Sequence, residues 1–206
     1  ADLERLKYLY ADHGYIDMQV IDYSLDFRDE TGDLYITIVV EEGDIYTIHT
    51  VEVSGNNVYP TEDIQKEIRV SPDEPFSRSK IRKDIMAIAD LYAQKGYLTP
   101  ISEKTEGKLL IDPMIRIDRK EKRVDLTYSL REGVPHFVNR IMIAGNQKTR
   151  DKVIRREVKL QESELFNSKD MKRSQQRVMN LGLFEEVDFN VSDGSEPNTV
   201  DLDIEV

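Results

Sequence analysis

Leu91-Tyr92-Ala93-Gln94-Lys95-Gly96-Tyr97 echoes Leu9-Tyr10-Ala11-Asp12-His13-Gly14-Tyr15, 82 positions earlier. The match runs backwards too, with Leu6 opposite Ile88 and Leu3 opposite Ile85. A second spacing, of 90, pairs Glu42-Gly43 with Glu132-Gly133 and Gly55-Asn56 with Gly145-Asn146. It also pairs Ile64 with Ile154, Glu67 with Glu157, Ile68 with Val158 and Phe76 with Phe166. Coincidences in a fixed order mark an internal repeat, and a repeat decides the architecture before any single element does. The units are 1–43, 44–133 and 134–206. Residue 1 aligns inside the long helix of the middle unit, so 1–43 is the trailing half of a unit and the other two are complete. The middle unit carries an insert around Ser102–Asp112, read as a loop or an extended hairpin. The second helix of the last unit reaches its glycine four residues sooner, about one helical turn.

Each complete unit reads as strand, helix, helix, strand, strand. In the middle one, Ile48, Val51 and Val53 mark a β-rich stretch ended by the turn signal Gly55-Asn56. Thr61 is the expected N-cap of a short helix with Ile64 and Ile68 on one face. Ser71-Pro72-Asp73-Glu74-Pro75 breaks it. Ile81, Ile85, Ile88, Leu91 and Tyr92 then form a helical stripe that ends at Gly96. Val124, Leu126, Tyr128 and Leu130 alternate with polar residues as a half-buried strand, as do Leu34, Ile36, Ile38 and Val40, and Val200, Leu202, Ile204 and Val206. Strands with one apolar face predict an α+β module, a small sheet covered on one side by two helices.

The 206 residues carry 29 basic and 40 acidic side chains, a net charge of −11. A nucleic-acid binder normally shows a basic excess, so no nucleic-acid partner is expected. Cysteine is absent, which removes disulfides and thiolate metal sites. No apolar stretch approaches the ~18 residues of a membrane span. The chain opens Ala-Asp-Leu-Glu-Arg with no secretory signal and no Met, and reads as a processed or excised piece of a longer array.

The element order resembles the POTRA (polypeptide-transport-associated) domain. The features that carry the resemblance are the Gly-Asn turn, the Phe before the long helix, the Gly-Tyr end and the Glu-Gly exit. Ile141-Met142-Ile143-Ala144-Gly145-Asn146, then Val153-Ile154-Arg155-Arg156-Glu157, then Asn180-Leu181-Gly182-Leu183-Phe184-Glu185-Glu186-Val187 look like the last such domain before the barrel in the Omp85 family. The resemblance implies tandem modules with three-stranded mixed sheets and a place in the periplasm. It implies attachment to the outer membrane through a C-terminal barrel in the parent chain. It implies capture of unfolded outer-membrane β-barrel proteins and docking of accessory outer-membrane lipoproteins. Alternatives are a two-partner secretion transporter, an organellar relative, a single-domain division protein or a purely structural spacer.

No Walker A, Gly-x-Gly-x-x-Gly, His-Glu-x-x-His or Gly-x-Ser-x-Gly pattern is present, so no enzyme and no cofactor are expected. His13, His49 and His136 are scattered and read as ordinary surface or strand positions. Two features can carry function. The first is an open sheet edge, to which another chain adds as a strand. The resemblance makes the second strand of each unit an edge. This is Asp17–Asp26 in the first unit, with Met18, Val20 and Ile21, and Glu185–Val191 in the third, with Val187, Phe189 and Val191. Core packing is the plain alternative for these side chains, with Asp188 and Asp193 guarding the edge. The second feature is a basic helix, Lys148–Lys159, with Lys148, Arg150, Lys152, Arg155, Arg156 and Lys159 against Asp151 and Glu157. It reads as a dock for a lipoprotein or for anionic headgroups, or else as a solvated face. In the family the Arg-Arg-Glu segment faces the lipoprotein, which singles out Arg155, Arg156 and Glu157. Arg119-Lys120-Glu121-Lys122-Arg123 reads as a hairpin turn. Gly14, Gly55, Gly96, Gly145 and Gly182 are structural.

Overall fold

A computed structural model describes residues 2–28, 32–103 and 105–206. The elements are α1 (Asp2–Ala11), β1 (Gln19–Arg28), β2 (Asp33–Glu41), β3 (Thr47–Ser54), α2 (Thr61–Gln65), α3 (Arg78–Ala93), β4 (Leu110–Asp118) and β5 (Arg123–Arg131). They continue as β6 (Phe137–Ala144), α4 (Asp151–Arg155), α5 (Ser168–Met179), β7 (Asp188–Asp193) and β8 (Thr199–Glu205). The strand orders are β1-β2, β3-β5-β4 and β6-β8-β7. In the last sheet β6 runs parallel to β8 and β7 antiparallel to it, so the sheet is mixed. The third strand of each complete repeat is therefore central. Its alternation gives it one buried face: Val124, Leu126, Tyr128 and Leu130 on β5, and Val200, Leu202 and Ile204 on β8, are buried.

The contacts gather into two compact units. One comprises Ala1–Glu52, Ile68–Ile85 and Pro113–Tyr128. In it the Tyr46 N–H donates to the Gly14 C=O at 2.9 Å, and the Tyr46 C=O accepts the Phe76 N–H at 2.9 Å. The Tyr46 hydroxyl donates to Asp17 Oδ2 at 2.6 Å. Asp84, fully buried on α3, accepts the N–H groups of Arg69 (2.9 Å) and Val70 (3.1 Å) and the Tyr128 hydroxyl (2.9 Å). Its place was legible, three residues after Ile81 and four before Ile88 on the apolar stripe.

The antiparallel β1-β2 hairpin lies in the same unit. Tyr23, Leu25 and Phe27 of β1 and Leu34 and Ile36 of β2 are exposed, against the expectation of a covered face. Among the described residues of 1–43 there is no counterpart of the first strand and short helix of the later repeats.

The second compact unit comprises Val53–Glu67, Met86–Asp112 and Ser129–Val206. Its core packs Val138 and Ile141 of β6, Ile154 of α4, Phe166, Val178 of α5, and Val200, Leu202 and Ile204 of β8. Burying each such side chain is worth about 1.5–3 kcal/mol. Here the His136 N–H donates to the Gly96 C=O at 2.8 Å, and the His136 C=O accepts the Phe166 N–H at 2.9 Å. These are the bonds of the Gly14–Tyr46–Phe76 joint, repeated. Gly96 needs its positive φ of 79°. A Cβ there would lie 2.9 Å from Leu165 Cδ1 and 3.0 Å from the His136 carbonyl oxygen.

Several expectations are corrected. Thr61 is the first residue of α2, not its cap, and its hydroxyl accepts from Asn56 Nδ2. The basic segment is a helix only over Asp151–Arg155. The amides of Glu157 and Val158 bond three residues back rather than four, and the Lys159 amide is taken by Ser174 Oγ at 2.8 Å. His136 keeps its expected place beside the first strand of its repeat, immediately before β6, and is buried there. The described residues of the insert form a loop before Leu110, and residue 104 lies outside them. The hairpin turn after β4 is as expected. Asp118 Oδ1 accepts from the amides of Lys120 (2.9 Å) and Glu121 (3.1 Å).

Candidate functional site

Strand β7 is an edge of its sheet, and its register against β8 runs from Asp188↔Glu205 to Asp193↔Val200. Val187, just before the strand, and Phe189 within it are buried; Val191 is half-buried and packs on the same core. Their side chains stabilise the module. What this edge offers a partner is backbone. The edge is restrained at both ends. Gln175 Nε2 donates to the Val187 C=O at 2.8 Å. Asp193 is clasped by Lys108 Nζ and Ser102 Oγ, both at 2.7 Å.

Strand β1 begins at Gln19, so Met18 precedes it and is buried, while Val20 is half-buried. A bulge between Val20 and Asp22 shifts the alternation, after which Tyr23, Leu25 and Phe27 share one exposed face. A third edge, β4, was not singled out in the sequence. Met114, Ile115 and Ile117 on it are exposed. Pro113 within the strand was the available signal, because proline is confined to edge strands and bulges.

The basic segment after β6 is not a free row of charges. Glu157, with a side chain 16% exposed, accepts from Arg177 Nε at 3.0 Å and Arg177 Nη2 at 2.9 Å, and from Arg156 Nε at 3.1 Å. The Arg177 bonds hold its carboxyl below the ordinary glutamate range, and Arg156 adds to this. The 90-residue spacing puts Ala87 where Arg177 stands, so Glu67 lacks that clamp. Arg155 Nη2 donates to the Ile141 C=O at 3.0 Å, and Glu162 Oε1 accepts the Ile141 N–H at 3.0 Å. Arg155 and Glu162 thereby occupy the outer backbone groups of edge strand β6 at one residue, with 4.0 Å between their charges. Sequence reading missed Glu162 because it follows the segment. Lys152 and Lys159 are exposed.

The five glycines all have positive φ. At Gly145 a Cβ would collide with the Val206 carbonyl oxygen, and at Gly55 with that of Leu130. The motif glutamate of the Glu-Gly exit is a hub. Glu132 accepts from the amides of Asn57 (2.7 Å) and Val58 (2.8 Å) and from the Tyr92 hydroxyl (2.8 Å). Burial raises its pKa, but these donors outweigh burial and leave it below the ordinary range. Among the described residues no group of three or more His, Cys, Asp or Glu could hold a metal ion, and no helix is long and apolar enough to cross a membrane.

A family model described as POTRA, surface antigen variable number repeat, matches residues 1–43, 46–133 and 136–206. The outer membrane protein assembly factor BamA of Neisseria meningitidis serogroup B is 28% identical over 205 residues, 98% of this chain and 25% of that protein. BamA of Buchnera aphidicola is 34% identical over 169 residues, 82% of this chain and 26% of that protein. The chain thus spans about a quarter of the curated relatives it matches. Among solved structures, Haemophilus influenzae BamA POTRA3-5 superposes with a TM-score of 0.78 at 23% identity, covering 100% of this chain and 78% of that one. At that identity the likeness shows the fold.

Proposed function

The chain belongs to the POTRA family, and from that premise we propose that it is a periplasmic part of an outer-membrane protein assembly factor. Residues 1–43 are the trailing half of one module, 44–133 a second and 134–206 a third, the one next to a membrane barrel in the parent chain. Clients are unfolded β-barrel proteins, which add as strands to the sheet edges. The observation that carries this reading is the strand order β3-β5-β4 and β6-β8-β7, which leaves the second strand of each complete repeat at an edge. Main-chain pairing there is indifferent to client sequence, as a varied client pool requires.

The test is a titration of isotope-labelled chain with peptides from β-barrel strands. Backbone amide shifts along β1, β4 or β7 are expected. Shifts absent from all three overturn strand addition. The burial of Met18, Val187 and Phe189 favours a spacer as the second reading. A spacer predicts no shift at any edge.

The basic segment is the proposed lipoprotein dock. Lys152, Arg155, Arg156 and Lys159 present positive charge, and Arg155 with Glu162 places both signs on the β6 edge. Reversing Arg155 to Glu should weaken lipoprotein pull-down in a salt-sensitive way. Unchanged capture removes this surface as the dock.

A further inference from the structure

The two joints differ at one residue. Tyr46 and His136 stand 90 positions apart, and their backbones make the same two bonds. The Tyr46 phenol has an acceptor in Asp17. The His136 side chain has none at one nitrogen: the residue is 2% exposed and its Nδ1 lacks any hydrogen-bond partner. The charged groups around the ring are Lys108, from the loop before β4, and Asp193, from the end of β7. They are joined to each other at 2.7 Å, with side chains 4% and 19% exposed. The end of α3 contributes the Gly96 backbone, and the segment before α5 contributes Phe166 through its amide. Burial, and then the Lys108 cation, hold the imidazole below the ordinary histidine range, against the opposing pull of the Val134 and Gly96 carbonyls and Asp193.

We propose that His136 makes its joint pH-sensitive. A proton taken up by this buried ring puts a second cation beside Lys108, with Asp193 already paired, and opens the backbone bonds that His136 makes to Gly96 and Phe166. The sign follows from linkage. The open joint, with a solvated ring, titrates near the ordinary histidine value of about 6.5, and the closed joint titrates lower. The closed joint therefore keeps its full stability above about pH 6.5 and loses it as the pH falls toward the closed-state value. The opening equilibrium grows about tenfold per pH unit in that window. The Tyr46 joint has no such group.

Amide hydrogen exchange on the 206-residue chain between pH 7.5 and 5, corrected for intrinsic rates, tests this. Protection of the His136 and Phe166 amides should fall about tenfold per pH unit below about 6.5. Protection of the Tyr46 and Phe76 amides should hold. His136→Tyr, which copies the other joint, should flatten the response. Flat protection at His136 and Phe166, an equal fall at Tyr46 and Phe76, or an unchanged slope in His136→Tyr overturns the proposal. If that variant fails to fold, the comparison of the two joints in the unmodified chain still decides.

Discussion

The Tyr92 hydroxyl donates to Glu132 Oε1 at 2.8 Å and so joins the Leu-Tyr-Ala motif to the Glu-Gly motif, 40 residues away. The first repeat makes the same bond, from Tyr10 to Glu42 at 3.1 Å. Two motifs that recur at different spacings are thus halves of one contact. Burial and then the Glu132 bond push the Tyr92 phenol well above the ordinary tyrosine range, so it stays a donor.

Tyr92→Phe should cost about 1.5–3 kcal/mol, the usual value of a hydrogen bond to a charged group. Urea unfolding would measure it. The folded-state carboxyl of Glu132 titrates below its unfolded value, so its contribution is present above about pH 4.3 and fades as the pH falls through the folded value. The loss of stability in acid should therefore be shallower in Tyr92→Phe.

Asp84 should be replaceable only together with its phenol. Asp84→Ala leaves three donors without their acceptor, two of them buried, and should cost about 3 kcal/mol. The third repeat fills the two places with Ser174 and Ile204, and Ser174 Oγ accepts the matching amide of Lys159. Asp84→Ser combined with Tyr128→Ile should therefore recover part of that loss, and a double-mutant cycle should show positive coupling.

Gly96→Ala should destabilise more than Gly182→Ala. Both carry the cost of a positive φ, about 1 kcal/mol. Only Gly96 adds close approaches to Leu165 and the His136 carbonyl, whereas nothing lies within 4 Å of a Cβ at Gly182. Thermal unfolding of the two variants ranks them.

Glu157→Lys should lower stability before it touches any partner, because it puts a third cation against Arg156 and Arg177. Glu157→Gln should lose far less and leave lipoprotein capture unchanged. A loss of capture in Glu157→Gln with unchanged unfolding would place Glu157 at the dock after all.

Lys108→Ala should cost about 1.5–3 kcal/mol, because it removes the charged donor from Asp193 and leaves Ser102 as a neutral one. Lys108→Met, which keeps the volume, paired with Asp193→Leu, should be much milder. Denaturant unfolding separates the two.

The sequence alone determined the repeat, the order of elements and the buried face of the third strand in each complete repeat. These rest on local periodicity. The spacing of Val124, Leu126, Tyr128 and Leu130 fixes which face of β5 is buried, whatever packs on it. It also marked the glycines, since a left-handed turn leaves few other residues a choice. The fate of individual charges was decided only by tertiary structure. Glu157 and Glu67 are equivalent by spacing, yet Glu157 is clamped by an arginine twenty residues on, in α5. Periodicity says which face a residue is on, not which side chain will meet it there. The same holds for His136 and Tyr46. One backbone pattern serves both, and the groups that reach the ring, Lys108 from an inserted loop and Asp193 from a distant strand, come together only when the chain is folded.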